Sequence, residues 1–169
     1  MKDSAFLILA ATTMLATPGF SAEDNARDTL LTVATKGKAR GPDSEARFDL
    51  KMLEALGKTE FTTTTIWTEG AIRFTGVRLG RMMDALGIDK GTLELVALND
   101  YMVEIDVADA LNDAALIAYK MNGAPMSPRN KGPLWLVYPF DLELKYQSET
   151  YYSRSIWQMN RIVVLPPDE

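Results

Sequence analysis

The chain has 169 residues, 47% of them apolar and 24% charged, the length and composition of one globular domain with a sizeable core. Its formal charge of -5 argues against nucleic acid or an anionic membrane surface as the main partner, because both need a basic face. Cys and His are both absent, so no disulfide, Cys/His zinc site, thiolate nucleophile or Ser-His-Asp triad is possible, and any chemistry falls to carboxylates, Lys, Arg, Tyr or Ser/Thr.

Residues 1–22 read as a secretory signal peptide. Lys2 makes a weakly positive start, the apolar run from Ala5 to Ala16 is too short to span a bilayer, and Pro18, Gly19, Ser21 and Ala22 form a small-residue end. Residues 23–169 are then the exported domain, with no membrane insertion after cleavage. Export without disulfides points to a bacterial periplasm. Leu30 to Thr35 predicts a strand, and Lys36 to Ser44, rich in Gly, Lys and Pro, a loop. Asp49 is placed to cap a short helix with Leu50, Leu53 and Leu56 on one face, stopped by Gly57. The threonine run within Glu60 to Trp67 favours strand. Val77 to Leu86 predicts a helix with Leu79, Met82, Met83 and Leu86 on one face, ended by Gly87.

Leu93 to Leu98 reads as a strand, turned by Asn99-Asp100 into a half-buried strand that starts at Tyr101. Asp106 caps a short helix through Leu111. Leu116 to Met121 is the next strand, Asn122-Gly123 a hairpin turn, and Pro125 and Pro128 hold an extended loop. Leu134 to Tyr138 is almost continuously apolar, which predicts a central strand, and Met159 to Leu165 is the last. Strands outnumber the short helices, so the fold class is α+β, a single domain built on mixed sheets.

Two stretches carry a resemblance. Phe74 to Gly87 reads FTGVRLGRMMDALG, and Leu116 to Pro139 reads LIAYKMNGAPMSPRNKGPLWLVYP. In this order they resemble the molybdopterin-binding domain of the sulfite oxidase superfamily, over roughly Phe61 to Val164. Enzymes of that family bind molybdenum through a Cys a few residues before a Trp; here Trp67 is present, and the matching place falls in the threonine run near Thr63. A Thr hydroxyl stays protonated at neutral pH and does not replace a thiolate. The family's phosphate-gripping segment corresponds to Ser153-Arg154-Ser155-Ile156-Trp157, with fewer cations. The resemblance therefore implies a pterin ligand of the tetrahydropterin type, without molybdenum, and is closest to periplasmic pterin-binding regulators. These partner the periplasmic domain of a membrane-bound cyclic di-GMP synthase/phosphodiesterase and so influence biofilm formation.

A pterin is a flat ring that needs an aromatic or Arg plane, an acceptor for its amino and ring N–H groups, and a donor for its oxo group. Trp67, Tyr101 and Trp157 offer planes, as do Tyr151 and Tyr152; Asp100 offers a carboxylate, and Glu69 and Glu149 others. Arg129, Asn130, Lys131 and Arg154 offer donors, and Ser153 and Ser155 offer hydroxyls, all in expected loops or strand ends. Arg154 between its two serines is the strongest single candidate. Each has a plainer role available: Trp67 and Trp157 as core anchors, Asn99-Asp100 as a turn, Arg129-Asn130-Lys131 as a solvated loop. Two other functions stay open: an oxidoreductase holding molybdenum without Cys, and an adaptor that kept the fold and lost the pocket.

Overall fold

The computed structural model describes residues 29–37 and 43–167, so the expected signal peptide lies outside the described residues. In chain order the elements are β1 (Leu31–Thr35), β2 (Ser44–Phe48), α1 (Leu50–Ala55), β3 (Thr59–Thr63), β4 (Ile72–Arg78), α2 (Leu79–Leu86), β5 (Thr92–Ala97), β6 (Met102–Asp106), α3 (Val107–Asn112), β7 (Leu116–Met121), β8 (Ala124–Pro125), β9 (Leu134–Val137), α4 (Glu149–Arg154) and β10 (Trp157–Leu165). Short 3-10 turns occupy Pro128–Asn130 and Leu144–Tyr146. The ten strands join in one mixed sheet whose main path runs β2-β1-β10-β9-β7-β4-β3, with β5 and β6 branching from β10. The pairing of β1 with β10 is parallel and the others are antiparallel. The α+β expectation therefore holds.

Local chemistry explains most boundaries. The Asp49 carboxylate accepts from the Met52 amide and starts α1, and the Asp106 carboxylate accepts from Ala108 and starts α3. Gly87 ends α2 in the left-handed region at φ 64°. Asn122 and Gly123 both have positive φ, as a two-residue hairpin turn between β7 and β8 requires. All four residues of β9 and the first four of β7 are buried, so their unbroken apolar runs sit at the sheet's centre with both faces covered.

Four local expectations need correction. The threonine strand stops at Thr63, because the Thr64 amide donates to the distant Asp141 carboxylate instead of a neighbouring strand. Helix α2 begins at Leu79 rather than Val77, because Val77 and Arg78 continue β4 in register with Ile117 and Leu116. The expected loop up to Ser44 gives way there to β2, which pairs antiparallel with β1. Residues 149–154, expected as loop, form α4, so Ser153 and Arg154 lie in its last turn.

At the register shift between Thr75 and Gly76, β4 passes very close to β7, and a Cβ on Gly76 would overlap the Ile117 carbonyl. The core spreads across the sheet from Leu31 and Val33 through Leu93 and Leu95 to Leu134, Leu136 and Ile162. Towards the β9 end it turns aromatic, where Trp135 and Phe74 meet edge to face at 5.3 Å.

Candidate ligand-binding site

The aromatic end of the core opens to solvent around Trp67. This residue sits in the connection from β3 to β4, where its amide donates to the Thr65 hydroxyl (3.1 Å), which in turn bonds Thr68 (2.7 Å). The half-buried indole meets Trp157 at 5.7 Å, Trp135 and Tyr152 each at 5.8 Å and Phe140 at 6.1 Å, all edge to face. Trp135, fully buried, is anchored by its indole N–H donating to the Ser155 carbonyl (3.1 Å).

Beside this cluster lies a cavity of about 390 Å³. Its aromatic walls are Trp67, Tyr101, Tyr152 and Trp157, its floor Ala97 and Ile156, and its polar edge Asn99, Ser153 and Ser155. Three elements aim these groups. The β5–β6 turn, with Asp100 at φ 62°, presents Tyr101, whose amide donates to the Asn99 side chain (3.2 Å). The end of α4 brings Ser153 and Ser155. β10 starts at Trp157, 38% exposed, with the Lys131 ammonium 4.5 Å from its ring centroid. The volume is that of a small-ligand pocket, and no Lys, Arg, Asp or Glu lines it. Such walls suit a flat, largely uncharged heterocycle stacked on Trp157 or Tyr101.

The structure brings Trp67, Tyr101, Tyr152, Ser153, Ser155 and Trp157 together on this cavity and leaves Glu69, Asp100, Arg129, Asn130, Glu149, Tyr151 and Arg154 off its lining. Asp100 faces solvent, 3.8 Å from Arg161. Arg129 and Asn130 are exposed on the 3-10 turn. Arg154 turns towards α3, where its guanidinium pairs with Asp109 at 2.9 Å and packs by Tyr151. Both serine hydroxyls donate back into α4, Ser153 to Thr150 (2.9 Å) and Ser155 to Tyr151 (2.7 Å), leaving their lone pairs as acceptors. Asn99, weighed only as a turn residue, is on the lining; its place follows from the turn that also presents Tyr101.

Under α4 a polar knot holds the site in place. The Asp113 carboxylate, nearly buried at the end of α3, accepts from Lys145 and from the Tyr151 hydroxyl, both at 3.0 Å. Lys145 is held well above its ordinary range by that carboxylate, and burial and then Asp113 push the Tyr151 phenol up.

A second cavity of about 310 Å³ lies across Tyr152, which lines both. Phe140 and Ile66 form its apolar part, and Thr64, Thr65, Asp141 and Gln147 its polar part. The Asp141 carboxylate accepts from the Thr64 amide and the Thr64 hydroxyl, both at 2.6 Å. These two bonds hold its carboxyl below the usual carboxylate range. Thr63, at the place where the resemblance puts a metal-binding Cys, is buried, and its hydroxyl accepts from the Asp141 amide (3.1 Å) and donates to the Thr64 carbonyl (3.2 Å).

The described residues form an α+β domain whose single mixed sheet carries an aromatic-walled cavity at one end. Residues 43–144 match the oxidoreductase molybdopterin-binding domain, and the chain belongs to that family. Its fold is also similar to that of the sulfane dehydrogenase SoxCD from Paracoccus pantotrophus, with 13% sequence identity and a TM-score of 0.55. That likeness covers 80% of this chain but 38% of the SoxCD chain, so this chain spans well under half the length of that protein. No curated protein matches the sequence.

Proposed function

We propose that this chain is an exported pterin-binding protein that holds the ring of a tetrahydropterin-type ligand in the cavity between Trp67, Tyr101, Tyr152 and Trp157. The observation that carries this reading is that cavity: aromatic walls, hydroxyl and amide groups on its edge, and no charged side chain on its lining. The donor set does not fit molybdenum held by a thiolate. The chain has no Cys, and the Thr63 hydroxyl, which donates to the Thr64 carbonyl and accepts from the Asp141 amide, stays protonated and is no thiolate. The protein then acts as a receptor rather than a redox enzyme. In keeping with the resemblance and the signal-like N-terminus, it relays pterin availability in the periplasm to the outer domain of a membrane-bound cyclic di-GMP synthase/phosphodiesterase.

The family's description favours a second reading, a molybdopterin-dependent oxidoreductase. Anaerobic calorimetry of metal-analysed protein with a tetrahydropterin separates the two. The expected result is saturable one-to-one binding with a Kd on the order of micromolar or tighter and no stoichiometric molybdenum. Trp157→Ala and Tyr101→Ala should each weaken that binding at least several-fold. Heat from none of the pterins tried overturns the receptor reading, and one molybdenum per chain moves the protein to the oxidoreductases.

A further inference from the structure

We propose that Gln158 is a positioning residue for the aromatic-walled cavity: it forms a β-bulge that turns Trp157 into the wall, and ligand affinity depends on that backbone conformation. The affinity part rests on the pterin reading above; the bulge itself does not.

Three observations carry it. The first is the register between β10 and β9. Trp157 lies opposite Trp135 and Met159 opposite Leu134, so Gln158 is an extra residue on the β10 side. Leu134 and Trp135 are neighbours and point to opposite faces of the sheet. Trp157 and Met159 therefore do so too, where an unbroken strand would keep them on one face. Met159 goes fully into the core, and Trp157 joins Trp67 and Trp135 at the cavity. The second observation is the backbone of Gln158, whose φ of 55° lies in the left-handed region that a residue with a Cβ enters at a cost. The third is what holds it there. The Gln158 amide donates to the Lys131 carbonyl (3.0 Å), its carbonyl accepts from the Leu98 amide (2.9 Å), and its side-chain amide donates to the Pro128 carbonyl (2.6 Å). One residue thus ties the start of β10 to two turns. One of them presents Asn99 and Tyr101 to the cavity, and the other carries Lys131, whose ammonium lies on the Trp157 ring. Backbone strain held by its surroundings in this way gathers at binding sites.

The test compares Gln158→Gly, Gln158→Ala and Gln158→Val with the wild-type chain. Gly takes a positive φ freely, Ala less readily, and the β-branched Val least. All three lose the side-chain bond to Pro128, so differences among them read the backbone conformation. Affinity for a methyl-substituted tetrahydropterin is measured by anaerobic calorimetry, and stability by urea unfolding. The placing of Trp157 is read without ligand by near-UV circular dichroism, as the part of the wild-type spectrum that Trp157→Phe removes. Gln158→Gly should keep that signal and bind within about threefold of wild type, Gln158→Ala should bind about threefold or more weaker than the Gly variant, and Gln158→Val should lose the signal and at least about tenfold in affinity. A residue that served only the strength of the strand would give the reverse order, because Val favours a strand and Gly weakens one. If the Val variant does not fold, the comparison of Gly with Ala decides. Equal signals and affinities in Gly and Ala, a Gly variant worse than Ala or Val, or an affinity unchanged where the signal is lost each overturn the assignment. If the wild-type chain binds no tetrahydropterin, the pterin reading falls, and the order of the circular dichroism signals still decides whether Gln158 places Trp157.

Discussion

Trp67 and Tyr101 both line the cavity, yet they stand in different physical situations. Trp67 is wedged among four aromatic rings, whereas Tyr101 is 54% exposed on a turn. Trp67→Ala should therefore destabilise the fold by about 3 kcal/mol as well as weaken binding. Tyr101→Ala should leave stability within about 0.5 kcal/mol and act on binding alone. Urea unfolding read beside calorimetry checks the split, and equal destabilisation by both would contradict it. The large aromatics were legible from residue type and position. Arg154 was not, because its partner Asp109 is 45 positions earlier on another helix and no local pattern announces the pair. Arg154→Ala is expected to cost less than about 1 kcal/mol and to change pterin affinity less than Trp157→Ala does. The pair Thr64–Asp141 was hidden for the same reason, being 77 residues apart in sequence.

At the scale of the elements, the β4–β7 contact is the tightest constraint on the half of the sheet that carries Trp67. A methyl group at residue 76 has nowhere to go except into the backbone of β7. Gly76→Ala should cost about 2–3 kcal/mol, measured as a fall in the urea midpoint at an unchanged slope. A drop of less than about 0.5 kcal/mol would show that the two strands part easily. Most of the capped or strongly patterned elements could be read from sequence, because Asp49, Asp106, Gly87 and Asn122-Gly123 act on their own neighbours. The failures were elements defined by distant partners. β2 exists because β1 offers it an edge, and α4 is joined to α3 by Tyr151 on Asp113 and Arg154 on Asp109.

For the whole molecule, one sheet joins all ten strands among the described residues, which favours a single cooperative unfolding transition. Its acid limb should contain a contribution from Asp141. That carboxyl is lowered in the folded chain, so its stabilisation is complete above the unfolded carboxylate pKa near 4 and is lost as pH falls through the folded value. Asp141→Asn should be less stable than wild type at neutral pH, with the difference shrinking below about pH 4 in urea melts taken across the acid range. A difference that stays constant with pH would mean that the Thr64 bonds do not depend on the charge.

β10 carries a consequence for how the protein is made. It binds β9 at its start, β1 at its end and β5 along its length, and it is the last of the ten strands to leave the ribosome. Until it emerges, three strands synthesised earlier wait without their common neighbour. Trp157, the residue that begins β10, thus completes the sheet and the aromatic-walled cavity in one late step.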